Sequence, residues 1–562
     1  MCKGAIVFAV VFILAISVFR IYIANRIPLL LQADAKYDDY LLIQYADSIF
    51  HGDWLGPYSH TTFLKVVSAS VLIALGRLIG LEYGTSQAII YIFAVALLIY
   101  SFNKLICNKI WAVCTYAFLL FSPIMFHAEN VQKIYRGGYI VSFSIIVIAG
   151  VVGIFTSSKE KISDLIKWSI LEAISLPVFW FLKEDSVWLI PFVCVGIAIS
   201  IICIILSDTN LKYVRILMCV IPLIVLIGSR FAYKEKNYKE YGLKAETDRS
   251  NTAFADMISD LLHIADAGDV TSWVTRETIV KACKASNTLG SIEDSIMSVY
   301  DGRADSSGNV NGDFVIMAIR EAAVKEGLYS KTAKDTEDFY RNVHNELTDA
   351  FTESRLEKEK KRIYISHVSR GYSFEEIKSY YSERFVDNVL MLISYDHNET
   401  DIKQSTGPED DLRLMSEYVG DKYVSALTTN EQIEEYASTV GLVNRIVNIY
   451  KATGKKLCKI SMIGYVLCIA TGIIGMFNKQ NGDKNGKRFK DLWLIIISFG
   501  LLLTCILIIA AVIWFCNFLT DWKVYDYCSA IIPVIGLLES IGIYLMIKNI
   551  YMIGRKVYDH IC

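Results

Sequence analysis

The sequence predicts an all-α polytopic membrane protein with a large extracytoplasmic helical insert. Three observations lead there. Hydrophobic residues make up 54% of the 562-residue chain and charged residues only 20%, against about a quarter charged in soluble domains. The charges are concentrated between Arg230 and Lys456, and the flanks are runs of Ile, Leu, Val, Phe and Ala. Those runs reach the roughly 20 apolar residues that a helix needs to cross a bilayer.

The first run starts just after Lys3 and continues through Ile23 with no small-residue cleavage site, so it reads as a retained helix rather than a signal peptide. The expected spans are 4–24, 84–103, 109–126, 138–156, 163–182, 187–206, 212–230, 457–476, 491–515 and 529–547. The stretch from Leu64 to Leu81 is ambiguous because it carries Lys65 and Arg77. If it crosses, the basic pairs Lys104/Lys109, Lys159/Lys161 and Lys212/Arg215 fall outside the cell. If it lies on the surface, all three fall inside, together with Lys479, Lys484, Lys487, Arg488, Lys490 and the tail residues Lys548, Arg555 and Lys556. The positive-inside rule selects the second arrangement. It has ten spans, both termini in the cytoplasm of an integral plasma-membrane protein, and the insert outside. The domains are then a transmembrane module at 1–230 with a first outer loop at 25–83, a helical domain at 231–456, and C-terminal transmembrane helices at 457–562.

The net charge of -2 and the lack of a basic arm exclude a nucleic-acid partner. Most of the 13 cysteines lie in apolar runs, and the insert holds only Cys283, so it has no disulfide framework and no zinc spacing. No cofactor is assigned. A divalent metal would be compatible with the outer acids, but nothing in the sequence supports one.

Under this topology the charged clusters outside the insert collect on the outer face. Asp38 and Asp39 precede an amphipathic helix, Leu41 to Phe50, which presents Leu41, Leu42, Tyr45 and Ile49 on one face. Adjacent acids there serve either as helix caps or as a general base at the membrane surface. Gly52 is the expected C-cap, followed by Asp53, Trp54 and Tyr58. Lys65 then opens the apolar juxtamembrane stretch, either snorkelling or touching a phosphate at headgroup depth. Arg136, after Tyr135, flanks a span on the outer side, where basic residues are disfavoured; its guanidinium suits a phosphate. Lys183, Glu184, Asp185 and Ser186 form a tight charged turn between two apolar spans, costly to place there without a role. A phosphate leaves as an anion and needs no general acid, so fixed cations and one base would suffice for sugar transfer from a lipid phosphate.

These residues resemble the GT-C superfamily, near the aminoarabinose transferases and protein O-mannosyltransferases. The similarity covers roughly residues 4–230. It rests on Asp38-Asp39, the helix Tyr40 to Phe50, Gly52-Asp53-Trp54, Lys65, Tyr135-Arg136 and the turn Lys183-Glu184-Asp185. Two departures stand out: Val66-Val67 replaces the paired prolines usual after the lysine, and the second acid is Asp39 where Glu is common. The resemblance implies an inverting glycosyltransferase that moves a sugar from a polyprenyl-phosphate carrier to an extracytoplasmic glycan, lipid or protein. Asp38 and Asp39 would be catalytic, and Lys65, Arg136, Lys183, Glu184 and Asp185 would bind substrate. The competing readings are a glycolipid transporter or flippase, for which Glu172 and Glu539 are the buried acids, and a non-enzymatic cell-surface assembly protein.

In the insert, the pattern predicts a helix from Phe314 to Lys325 capped by Asp313, and helical stretches near 330–362, 373–397 and 429–451. The charged run Leu356 to Arg362 reads as a solvated helical face.

Overall fold

The computed structural model describes residues 3–477, 485–519 and 521–561. Residues 478–484 of the loop between the eighth and ninth expected spans, with Lys479 and Lys484, lie outside the described residues. Every described element is a helix, with only isolated β-bridges between loops. The chain is an all-α polytopic membrane protein: eight of its helices are long and apolar enough to cross a bilayer.

The N-terminal part contains α1 (Lys3–Ala24), α2 (Asp39–His51), α3 (Ser68–Leu78), α4 (Tyr83–Ile106), α5 (Lys109–Leu120), α6 (Gly137–Ser157), α7 (Ile162–Trp180), α8 (Ile190–Ile205) and α9 (Lys212–Tyr241). Helix α3 has eleven residues. At 1.5 Å per residue it is about 16 Å long, half the thickness of the hydrocarbon core, so it cannot cross. It packs on α2 and on α17 (Glu409–Val419) of the insert. Helix α7, the expected span at 163–182, is not among the eight apolar spans because it carries Asp164, Lys167 and Glu172; it packs between α6 and α9. The contact with α6 is tight: a Cβ on Gly153 would fall 2.1 Å from the Trp168 ring, and one on Gly150 2.0 Å from the Glu172 carboxylate.

Helix α9 continues beyond 230 to Tyr241, so the start of the insert is an extension of a span. The insert then holds α10 (Ala253–Leu262), α11 (Arg276–Ala285), α12 (Asn287–Gly290), α13 (Glu293–Arg303), α14 (Phe314–Lys325), α15 (Ala333–Thr352) and α16 (Phe374–Ser394), before α17. The 48-residue α18 (Asn430–Phe477) rises from the insert into the membrane region; it is about 70 Å long. The expected span 457–476 is its lower part, where side chains from 472 onward lie outside the described residues. Then come α19 (Asn485–Phe515), the short α20 (Asp521–Tyr527) and α21 (Ile532–Ile561). Helices α18 and α21 cross at small residues: a Cβ on Gly464 would lie 1.8 Å from the Gly542 carbonyl. Such close backbone approach is how membrane helices associate without a hydrophobic driving force.

Packing divides the insert. Helices α10 to α15 bury their own core around Met257, Trp273, Ile319 and Tyr340, closed on one side by Phe515 and Phe518 from the end of α19. Helices α16 and α17 instead pack into the core of the membrane module through Met391, Leu392, Tyr395, Leu412 and Met415. Two local expectations are corrected. Asp313 makes no cap bond to α14; it pairs with Arg249 at 3.0 Å. The run Leu356 to Arg362 is not helical. Its backbone bonds to the end of α10 instead, through Ala265 N to Glu357 O (2.8 Å) and Glu359 N to His263 O (2.8 Å), and these bonds outweigh the helix propensity of a lysine-rich segment.

Candidate active site

The site is built on the N-terminus of α2, and its geometry begins with a missing cap. Asp38 occupies the N-cap position but makes no side-chain bond to the α2 backbone. Its carboxylate turns outward and accepts from Lys65 Nζ at 2.7 Å. The α2 C-cap is Gly52 at φ 89°, as its position in the sequence requires. The following chain returns over α2, held where the Tyr45 hydroxyl donates to the Thr61 carbonyl. That return places Lys65 beside Asp38, although 27 residues separate them.

Lys65 also donates to the Tyr135 hydroxyl at 3.2 Å. Arg136 donates to the same hydroxyl through Nη2 at 2.5 Å and to Glu184 Oε2 through Nη1 at 2.6 Å. Glu184 Oε1 accepts from the Val66 N–H at 3.2 Å, closing a ring of contacts from α2 through the loop between α5 and α6 to the charged turn and back. The Arg136 side chain is 4% exposed, and its Nε is buried without a partner. Burial opposes ionisation of Glu184, but Arg136 and then Lys65 outweigh it and hold the carboxyl down to about 2. Asp38, with 53% of its side chain exposed, likewise sits below the usual carboxylate range: the surrounding protein penalises its charge, and Lys65, Arg136 and Lys133 overcome that penalty. It is an ionised, solvent-accessible carboxylate.

Asp39 points the other way. It is 2% exposed, and its Oδ2 is buried without a partner. Burial pushes its carboxyl up to about 7 against the pull of Lys133, with Asp38 adding to the rise. The two acids treated together in the sequence thus differ in access and charge. Between the ordinary value of 3.8 and about 7, folded Asp39 holds a proton that the unfolded chain has released, so stability falls as pH rises through that window. Asp39→Asn, which cannot ionise, should raise the thermal midpoint by several degrees at about pH 8 and leave it unchanged near pH 4. A melt series across pH in detergent reads this directly, and a pH-independent effect would contradict it.

Lys183 is held by Asp185 at 2.9 Å and lies 4.5 Å from the centre of the Tyr527 ring. Tyr527 ends α20, and Tyr135 and Asp38 both lie close enough to add to the rise of its hydroxyl above the usual value, which burial dominates. Lys183 and Asp185 therefore join the cluster through the loop before α21. Beyond Asp39, a second ionic chain runs from Lys133 to Glu129 (3.2 Å), Lys523 (3.5 Å) and Asp526 (3.5 Å), and Asp526 is hydrogen-bonded to His127 (2.9 Å). Lys133 and Tyr527 were not singled out in the sequence, and Tyr135 entered only as the neighbour of Arg136. Tyr135 had a signal, as the phenol next to Arg136, whereas Tyr527 had none, since nothing in its own segment reports what the loop packs against. Among the described residues no group of three or more His, Cys, Asp or Glu is placed to hold a metal ion.

No protein-family model and no curated protein matches the sequence. Among solved structures, the crystal structure of ArnT from Cupriavidus metallidurans in the apo state matches 98% of this chain and 78% of that chain. The identity is 10% and the TM-score 0.30, and a superposition that loose decides neither mechanism nor substrate. What the cluster can do follows from its own chemistry: one accessible carboxylate beside a partly buried and a buried cation that share a tyrosine hydroxyl.

Proposed function

We propose that the chain is a membrane glycosyltransferase that moves a sugar from a polyprenyl phosphate to an acceptor hydroxyl on the outer face of the membrane. The observation that carries this reading is the convergence of Lys65 and Arg136 on the Tyr135 hydroxyl, next to the carboxylate of Asp38. Lys65 and Arg136 hold the lipid phosphate, with Lys183 as a third cation. Asp38 takes the proton of the acceptor hydroxyl as that oxygen attacks the anomeric carbon, and the phosphate departs with the electrons of the broken glycosidic bond. A single displacement of this kind inverts the configuration. Glu184 and Asp185 position the cations. Asp39, buried, supports the start of α2.

A carrier or flippase would be expected to use coupled ionisable groups inside the spans. Arg20, Glu172 and Glu539 are buried on α1, α7 and α21, and among the described residues no ion pair joins them. The test of the enzyme reading is transfer of a labelled sugar from polyprenyl phosphate in proteoliposomes, with expected dependence on Asp38 and Arg136. Absence of any transfer or donor hydrolysis across a panel of lipid-phosphate sugars would reject it.

The reading also requires the site to face outward, with both termini inside. Asp410, whose side chain is 95% exposed, is a suitable reporter on the insert. In a cysteine-free background, Asp410→Cys should react with an impermeant maleimide on intact cells, and Lys161→Cys only after permeabilisation. Labelling of both from the same side would overturn the topology.

A further inference from the structure

An aromatic recess lies between the first outer loop and the insert. Its walls include Tyr58, His60 and Phe63 from the loop, and Tyr329, Glu337 and Tyr340 from the insert, with Asp248 also lining it. The rings are in contact: Tyr58 and His60 each lie 6.0 Å from Tyr329. The ladder runs back to the candidate base, because the His60 ring is 5.7 Å from that of Tyr37, the residue before Asp38. Tyr37 is itself tied to the insert, its hydroxyl donating to Glu321 at 2.8 Å.

The recess is small, about 30 Å³, and opens to solvent on one side. It admits one hydroxyl-sized group, and the rest of a ligand must lie across the mouth. One buried oxygen of Asp248, Oδ1, has no partner. The carboxylate's other oxygen, Oδ2, is held by Arg320, which is fully buried. Glu337 accepts from the Ala253 N–H at 2.9 Å and from Arg341 at 2.6 Å.

This chemistry selects the ligand. Aromatic faces offer flat, weakly negative surfaces that match the axial C–H bonds of a pyranose ring. A carboxylate oxygen without a donor accepts a sugar hydroxyl, and a buried acceptor left unmade is costly. Each acid is paired with a guanidinium, Asp248 with Arg320 and Glu337 with Arg341, so the recess carries little net charge and favours a neutral ligand. No strand edge lines the recess, so an extended peptide would find no main-chain ladder there. We infer that the recess is the acceptor subsite and takes a neutral pyranose unit, inserting one hydroxyl towards Asp248 and laying its ring on Tyr58 and Tyr329. This assignment rests on the glycosyltransferase reading for the word acceptor, but saccharide binding itself does not.

The experiment therefore reads binding, not turnover. Full-length protein in nanodiscs, fluorescently labelled, is applied to a printed array of neutral and acidic glycans and of Ser/Thr-rich peptides, and the best glycan is titrated. Wild type should bind one neutral glycan saturably. Tyr58→Ala and Glu337→Gln, checked for an unchanged elution volume and melting midpoint, should each weaken it at least about tenfold. If Tyr58→Ala does not fold, Tyr58→Leu, which keeps bulk but not the ring, takes its place. The inference is overturned if the array shows no neutral glycan bound, if only peptides or acidic glycans bind, or if the folded variants bind like wild type. If glycans bind but no lipid-phosphate sugar is ever turned over, the recess stands as a saccharide site and the transferase reading falls.

Discussion

Asp38→Asn should lower sugar transfer by about a hundredfold or more, the scale of losing a general base. Asparagine keeps the size of the side chain but cannot accept the proton of the attacking hydroxyl. It also replaces the charged partner of Lys65 at 2.7 Å by a neutral amide oxygen, so two effects must be separated. If the base is what is lost, kcat falls while the donor concentration at half-maximal rate stays constant, because Lys65 retains the Tyr135 hydroxyl. If only phosphate binding is disturbed, the donor KM changes and kcat recovers at saturation. Asp39→Asn alone should retain most of the activity, since its carboxyl is 2% exposed and cannot meet an acceptor. Near-normal turnover in the double Asp38→Asn, Asp39→Asn protein would remove both acids from the chemistry.

Arg136 should be the position least tolerant of change. Its side chain is 4% exposed, its two terminal nitrogens are committed to Glu184 and Tyr135, and its Nε is free. Lysine offers a point charge without the planar fork, so Arg136→Lys should cut transfer at least about tenfold while leaving the fold intact. Arg136→Met should do more. Glu184, only 30% exposed, would lose the cation that holds it near the bottom of the carboxylate range. Removing one member of a buried pair costs roughly 3–5 kcal/mol, less here in proportion to the solvent that reaches Glu184. The consequence is a lower yield of folded protein and a reduced melting midpoint. Adding Glu184→Gln to Arg136→Met should restore the midpoint, because the stranded charge is gone, and should not restore transfer. Restored transfer in that double variant would place phosphate binding elsewhere.

Much of the architecture was already legible in the amino-acid sequence, because it depends on local composition. A run such as Gly137–Ser157 must be a membrane helix wherever it sits, since every backbone polar group in lipid has to be satisfied within the segment. The charges flanking Leu64 to Leu81 and the bias of the loops set it apart from the spans, and its helix is eleven residues long. Gly52 could be read as a C-cap because only a residue tolerant of φ 89° fits there. The site residues could be collected on one face for a related reason: short loops between spans have only two sides on which to lie.

What tertiary structure decided are the choices that local chemistry leaves open. At the start of α2, Asp38 could cap the helix or pair with a cation. The return of the chain that brings Lys65 to 2.7 Å settles it, and no propensity encodes that return. The difference between Asp38 and Asp39 is likewise one of burial, which depends on what the loop between α5 and α6 covers. Glu184 reaches the Val66 N–H from 118 residues away, and Tyr527 arrives from the far end of the chain to sit against Lys183. The division of the insert, with α16 and α17 packed into the membrane module and α10 to α15 around a core of their own, is equally invisible in the sequence. Both halves are amphipathic, and an apolar stripe specifies that it will be buried without specifying against what. That partner is chosen only when all the faces compete for one another in the folded chain.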